Sequence, residues 1–460
     1  SHACTMNNKW ALTALVLTYC VQCSVAASTC EGVTTAVCGT SKTAAEAIDC
    51  LKENLGLFRS ACGEGMVEDI KRSLKFTERL GGAPFIEAWV KSTDSKAAET
   101  PAPPSNSAFQ MNLTTFNNTG AVCLDGTPSG YYFRPAPPGS ANKDSWVFYM
   151  EGGGLCLDFF SCHIRAKSRL GSSNYWDKTH VDGSHTISQD PAINPMFHDW
   201  NHVFMPYCTG DVHGGTQVHN NWMGLRFTGH LVVNETLRRL SETSGLSSAS
   251  NVLLSGQSAG GIGVMLHADY FRTAFPKAHV VAAPEAGFYF PSDVALYEEF
   301  IVGLRIPFGP PAALFLTLLY DSYLDESCVA AHHKGELHRC WLASTAVNYI
   351  DTPLFLAQNR FDSNQMQFLG LWNKAPRHDA YLEYYGKLAL ADLHKAAAVP
   401  RNGVFMPACF KHTNDLCVGS LTTVNNTRFV DALSTWYTGS AKVAVFDTCS
   451  GDLPCNPQCA

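Results

Sequence analysis

The sequence predicts an α/β fold, a mostly parallel sheet flanked by helices, preceded by a small disulfide-stapled helical module. Three observations predict it. Strand and helix signals alternate from about residue 109 onward. Residues 251–262, NVLLSGQSAGGI, run from an apolar stretch through Gly256-Gln257-Ser258-Ala259-Gly260 into a helix-forming segment. Four cysteines, Cys30, Cys38, Cys50 and Cys62, crowd a short helix-rich segment near the N-terminus.

The chain begins with features of a secretion signal, assigned to residues 1–27. Met6-Asn7-Asn8-Lys9 is weakly basic, residues 10–21 are apolar, and Ser24-Val25-Ala26-Ala27 offers small residues for cleavage. The apolar run is too short to span a bilayer. The 18 cysteines of the chain fit an exported protein. Loss of Cys4, Cys20 and Cys23 with the signal would leave 15, an odd number that implies one free thiol or an intermolecular bridge. Asn112, Asn117, Asn234 and Asn425 each head an N-x-Thr sequon, which is expected to be glycosylated in an exported chain. The expected location is therefore extracellular or within the secretory pathway.

Residues 28–91 read as a cysteine-rich helical module. Helical periodicity runs through 44–55 and 67–80, and two disulfides would staple a small core. The spacing around Cys50 and Cys62 resembles the helical cysteine-rich repeats of Golgi and cell-surface glycoproteins. That resemblance implies a module that binds another protein or packs on the larger domain. Residues 92–108, STDSKAAETPAPPSNSA, are polar and Pro-rich and read as a linker.

Residues 109–460 are expected to form the larger domain. Strands are expected at 130–134, 146–150, 202–206, 251–255, 353–358 and 404–406, with helices at 229–240 and 260–275. Of the 460 residues, 46% are hydrophobic and 16% charged, enough for a sizeable core. The net charge of -7, with no basic stripe and no phosphate loop, excludes nucleic acid as a partner. Residues 300–320 are apolar but carry Arg305, Pro307, Pro310 and Pro311, so they do not read as a membrane span. A buried helix pair or an acyl-binding insertion accounts for them equally well.

Strand, Gly-x-Ser-x-Gly and helix together describe a nucleophile elbow, where a serine sits on a tight turn between glycines. A chain of this length contains the five-residue pattern by chance roughly one time in five, so the partners decide. An elbow serine needs a base, an orienting acid and oxyanion donors. In the α/β-hydrolase order the acid and then the histidine follow the serine. Asp362, just past the strand at 353–358, is the first choice for the acid, against the alternative of a turn or cap residue. His412, in the loop after 404–406, is the choice for the base among 17 histidines. His332, His333 and His338 match no strong ligand spacing and read as a solvated loop, so neither metal nor cofactor is expected. Glu151-Gly152-Gly153-Gly154 follows the strand at 146–150, and glycines there leave backbone N–H groups unobstructed. Gly152 and Gly153, with Ala259 after the serine, are the expected oxyanion donors.

A family resemblance rests on many ordered segments. They are 123–126 (CLDG), 148–154 (FYMEGGG), Cys156, Ser161-Cys162, Arg165, 170–173 (LGSS), 206–208 (PYC), 256–261 (GQSAGG), 286–288 (AGF), 352–355 (TPLF), 409–412 (CFKH) and 449–459 (CSGDLPCNPQC). Together they resemble the pectin acetylesterase/Notum family across nearly everything after residue 110. The resemblance implies an exported serine carboxylester hydrolase of α/β-hydrolase fold, with Ser258, Asp362 and His412 as nucleophile, acid and base. It implies disulfides Cys123–Cys208 and Cys156–Cys162, and a pairing of Cys409 with Cys328 or Cys340. Two departures stand out. Leu155 replaces the usual aromatic after the glycines, at a position that borders the acyl pocket together with Gly154 and Gln257. Pro284-Glu285-Ala286-Gly287 replaces a stretch that usually contains Asp.

Three functions follow as expectations. The first is deacetylation of an extracellular or cell-wall polysaccharide through an acyl-enzyme on Ser258. The second is Notum-like removal of longer acyl chains from lipidated protein or lipid. The third is a secreted binding protein with a vestigial hydrolase domain, against which the intact serine, acid and histidine argue.

Overall fold

The computed structural model describes residues 49, 52–56, 59, 110–156, 162, 165–180, 185–218, 225–290, 310–368, 378–413, 422–449 and 453–458. The expected signal segment, nearly all of the expected cysteine-rich module and the expected linker up to residue 108 lie outside these. Two compact units are present. One comprises Ser1–Ala102 with Cys156–Lys167, the other Pro103–Leu155 with Ser168–Ala460.

The larger unit is built on a ten-stranded sheet. Its strands are β1 (Met111–Thr115), β2 (Gly130–Arg134), β3 (Ser145–Met150), β4 (Thr179–His180), β5 (Asn201–Met205), β6 (Asn251–Gln257), β7 (His279–Glu285), β8 (Phe355–Ala357), β9 (Gly403–Met406) and β12 (Ala444–Phe446). Their order across the sheet is β12-β9-β8-β7-β6-β3-β5-β2-β1-β4. Every pairing from β12 to β5 is parallel, and β2, β1 and β4 close the other edge antiparallel. The short strands β10 (Thr423–Val424) and β11 (Thr427–Arg428) pair apart from it.

The central strands are apolar on both faces because helices cover both. All six residues of β3 are buried, and so are Val252, Leu253 and Leu254 of β6. The principal helices are α1 (Gly229–Thr243), α2 (Ala259–Ala274), α3 (Pro310–Tyr320), α4 (Glu326–Ala331), α5 (Ala343–Ala346), α6 (Ser363–Phe368), α7 (His378–Ala398) and α8 (Phe429–Tyr437). Helix α2 starts one residue after Ser258 and buries all of its first eleven residues. A helix apolar around its whole circumference belongs in the core. This is the α/β-hydrolase architecture, and the expected strands and helices fall within a few residues of those observed.

Cys123 is bonded to Cys208, Cys328 to Cys340, and Cys449 to Cys455. Two expected pairings differ. Cys328 and Cys340 satisfy each other, with Cα atoms 5.8 Å apart, so Cys409 is bonded to neither; its disulfide partner lies outside the described residues. Cys156 and Cys162 are buried and are not joined to one another. His332 lies beside the Cys328–Cys340 bridge, its Nδ1 3.7 and 3.6 Å from the two sulfurs. That nitrogen donates to Cys328 O at 2.8 Å, and a disulfide offers no thiolate to a metal.

Of residues 300–320, those from 310 onward are described. Helix α3 buries Ala313, Leu316, Leu319 and Tyr320, and exposes Leu314, Phe315 and Leu318. Residues 300–309 lie outside the described chain.

Helix α2 leaves no room at its first turn. A Cβ on Gly260 would lie 2.0 Å from Met150 O and 2.6 Å from Met150 C, both backbone atoms of the neighbouring strand. Gly260→Ala is therefore expected to cost about 3 kcal/mol or more, read as a lower urea midpoint. An unchanged midpoint would contradict this account of the packing.

Candidate functional site

Four loops at the carboxyl edge of the sheet converge, following β3, β6, β8 and β9. Open parallel sheets bind ligands at this edge. Ser258 follows β6 with φ 56° and ψ −121°, a backbone conformation that costs an L-residue energy and survives only where surroundings enforce it. Its N–H donates to Glu285 O at 2.9 Å, and its carbonyl accepts from Ile262 N at 3.0 Å. The turn is thus tied to β7 on one side and to α2 on the other.

Ser258 Oγ lies 2.7 Å from His412 Nε2, and His412 Nδ1 lies 2.9 and 2.8 Å from the two carboxylate oxygens of Asp362. A carboxylate only accepts, so Nδ1 carries the proton and Nε2 accepts from the serine hydroxyl. Ser258 is 8% exposed, Asp362 is 1% exposed, and the His412 side chain 16%, so only the serine and histidine face a ligand. The three residues expected from the sequence are brought together as one hydrogen-bonded chain.

The buried carboxylate of Asp362 is surrounded by donors. Asn364 N and Gln365 N, at the start of α6, each donate to Oδ1 at 2.9 Å. Gln358 Nε2 donates to Oδ2 at 2.7 Å. Asn359, the next residue, donates from Nδ2 to His412 O at 2.9 Å and so fixes the backbone of the histidine loop. Tyr289 donates to Asn364 Oδ1 at 2.8 Å, and burial together with the nearby Asp362 charge pushes its phenol well above the ordinary range.

The glycine loop lies against the serine. A Cβ on Gly152 would fall 2.6 Å from Gln257 O and 3.0 Å from Ser258 Cβ, and Gly153 has φ 145°. Among the described residues the N–H groups of Gly152 and Ala259 donate to no backbone carbonyl; the latter is one of the unspent donors at a helix start. Gly154, Leu155 and Gln257 are half-buried on the rim.

Glu151 anchors this loop from four directions. Its N–H donates to Met205 O at 3.1 Å, and its carbonyl accepts from His213 Nε2 at 2.9 Å. Its carboxylate accepts from Tyr207 N at 2.9 Å and from Arg169 Nη1 at 2.6 Å. His213 is buried against the Tyr207 ring, and burial pushes its imidazole down to about 4. Neighbouring Asp211, which accepts from Gly229 N at 2.8 Å, is pushed up to about 6 by the same burial. Sequence reading assigned no role to Glu151, Arg169, His213, Gln358 or Asn359. Each acts through a partner distant in the chain, and only the Glu151 position, beside the glycines, carried a local signal.

A serine hydroxyl bonded to an imidazole, beside open backbone donors, can attack a carbonyl and hold the resulting oxyanion. The profile of the Pectinacetylesterase family matches residues 104–460. The chain is 28% identical over 373 residues to Pectin acetylesterase 5 of Arabidopsis thaliana, covering 74% of this chain and 82% of that protein. It is 29% identical over 369 residues to Pectin acetylesterase 4 of the same plant, covering 74% and 85%. It is also 29% identical over 348 residues to Palmitoleoyl-protein carboxylesterase NOTUM of Homo sapiens, covering 74% and 68%.

The buried His213 makes stability depend on pH. Its value in the fold, about 4, lies below the ordinary 6.5, so the unfolded chain binds the extra proton between those limits. Its contribution is complete above about 6.5 and is lost as pH falls toward 4. Between pH 7 and pH 5 this one group is expected to remove about 2 kcal/mol. Urea unfolding of His213→Gln, which keeps a donor for Glu151 O, should show that much less loss over the same range. An identical loss in both proteins would refute the assignment.

Proposed function

The chain belongs to the pectinacetylesterase family of carboxylic ester hydrolases, and we propose that it hydrolyses its esters through an acyl-enzyme on Ser258. The observation that carries this reading is the continuous hydrogen-bonded chain from Ser258 Oγ through His412 to Asp362. In this mechanism His412 Nε2 takes the hydroxyl proton as Ser258 Oγ bonds to the ester carbonyl carbon. Negative charge develops on the carbonyl oxygen, where the N–H groups of Gly152, Gly153 and Ala259 receive it. His412 then gives its proton to the departing alcohol as the C–O bond breaks. A water, deprotonated by the same nitrogen, attacks the acyl-serine; the bond to Ser258 Oγ breaks, His412 returns the proton to that oxygen, and the carboxylic acid leaves. Asp362 remains an anion and keeps the imidazole in its working orientation.

The proposed substrate is an O-acetylated polysaccharide outside the cell; the two plant relatives are named as acetylesterases of pectin. The sequons at Asn112, Asn117, Asn234 and Asn425 all sit at exposed positions, as glycosylation in an exported chain requires. No described helix is long and apolar enough to cross a membrane. A second reading, removal of a longer acyl chain from protein or lipid, is favoured by one observation. Leu314, Phe315 and Leu318 expose an apolar face on α3, in the stretch between serine and acid. Leu155 and Gln257 border the proposed acyl pocket in either case. The intact serine–histidine–acid chain speaks against a vestigial hydrolase that only binds.

Hydrolysis of nitrophenyl esters from acetate to palmitate separates these readings. Ser258→Ala is expected to lower kcat on the order of ten-thousand- to a million-fold with every ester. Highest kcat/KM on acetate, with acetate released from acetylated pectin, supports the polysaccharide reading. Highest kcat/KM on octanoate or longer would overturn it. Full activity of Ser258→Ala would overturn the acyl-enzyme itself.

A further inference from the structure

The geometry assigns Gln358 as a positioning residue for the reaction, a fixed bridge that holds the Asp362 carboxylate from the β7 side of the sheet. This rests on the acyl-enzyme reading above and deepens it. Gln358 follows β8 and is 2% exposed. Its two amide atoms face opposite partners. Phe288 N donates to Gln358 Oε1 at 3.0 Å, and Gln358 Nε2 donates to Asp362 Oδ2 at 2.7 Å. The backbone N–H of Phe288 can only donate, so the oxygen must face it. The amide cannot flip, and its NH₂ group is directed at the carboxylate.

Phe288 belongs to a short strap after β7 that is tied to the acid loop at two further points. Tyr289 Oη donates to Asn364, and Gln365 Nε2 donates to Phe290 O at 2.9 Å. Tyr385 Oη, on α7, donates to Gln365 Oε1 at 2.9 Å and fixes that amide in turn. Asn364 and Gln365 are also the residues whose backbone N–H groups hold Asp362 Oδ1. Both carboxylate oxygens are therefore held by groups that the strap fixes. Among the described residues, Oδ2 accepts from two side chains, Gln358 Nε2 at 2.7 Å and His412 Nδ1 at 2.8 Å.

Removing the Gln358 donor does two things. It frees Asp362 to rotate away from the imidazole, and it leaves a more basic carboxylate beside it. The second effect stabilises the imidazolium and moves the acid limb of the rate profile to higher pH. Replacing Gln358 by Glu changes the sign of the contact. A protonated Glu keeps an O–H for Asp362 and an oxygen for Phe288 N–H. Once that proton is lost, two carboxylates face each other beside the histidine.

The test is the pH profile of kcat/KM for nitrophenyl acetate with Gln358→Met and Gln358→Glu, each checked for folding by thermal melt. Gln358→Met is expected to lose roughly ten- to a hundred-fold in kcat with KM little changed, and to shift the acid limb upward. Gln358→Glu is expected to show an alkaline limb absent from the wild type, recovering activity as pH is lowered. A residue that only packs would lower the melt without creating a new limb. If Gln358→Met fails to fold, Gln358→Glu carries the decision alone. Wild-type limbs and kcat in folded Gln358 variants, with Ser258→Ala inactive, overturn this inference and leave the nucleophile standing. Activity retained by Ser258→Ala overturns both.

Discussion

The backbone of Ser258 is the constraint on which the rest depends. A serine at φ 56° is unfavourable in isolation, and the protein maintains it by removing every alternative. Its N–H is held by β7 and its carbonyl by α2. The glycines around it have no space for a side chain. Gly256 and Gly260 face the backbone of Met150 on β3, and Gly261 faces Glu285 O and Gly287 on the β7 side. Strand, turn and helix thus close against both neighbouring strands at once. The same closeness brings the Glu151–Gly154 loop against the serine, because that loop is the continuation of β3. The Ser258 turn and the glycine loop beside it are consequences of one packing arrangement.

Burial of polar groups beneath this edge is the counterpart of that rigidity. His213 supports Glu151 by one hydrogen bond and must stay neutral to remain buried, while Asp211 nearby is pushed toward its protonated form. The two respond to acid in opposite senses. Protonating the histidine opposes the fold, whereas the aspartic acid gives up its desolvation cost on protonation. The same opposition recurs farther out. His230 and His267 lie with ring nitrogens 3.1 Å apart and are both pushed down by burial. Asp325, desolvated near Asp269, is pushed up to about 7. The fold therefore pairs groups whose pH responses partly offset each other, and this moderates the slope of stability on the acid side.

Much of the fold was legible because its signals are local. Residues 251–262 contain a strand, a turn and a helix start in sequence, and the strands at 130–134 and 145–150 are short apolar runs bounded by turns. β7 was missed because HVVAAPE offers only two β-branched residues and ends in Pro284 and Glu285; its burial comes from lying between β6 and β8. β1 and β4 were missed because an antiparallel edge needs little apolar sequence, and β4 is only two residues long. In the site, Ser258, Asp362 and His412 were legible because each follows a strand in a recognisable order. Glu151, His213 and Gln358 were not. Their roles depend on contacts such as 151 to 213 and 288 to 358, which no local pattern encodes.

That contrast bears on how such a site tolerates change. The serine, the acid and the histidine lie on three separate loops, and nothing in β6, β8 or β9 alone sets their mutual distance. Two neighbouring contacts set it. Ser258 N bonds to Glu285 O at the end of β7, and Gln358 bonds to Phe288 three residues later. The end of β7 and the strap after it thus lie between Ser258 and Asp362, bonded directly to the serine and through Gln358 to the acid. Residues 284–287 lie in this connecting piece. Ala286 takes φ 47°, and its N–H donates to Ala357 O at 2.8 Å, joining the piece to β8 as well. Substitutions there act on the spacing between Ser258 and Asp362 without touching either residue.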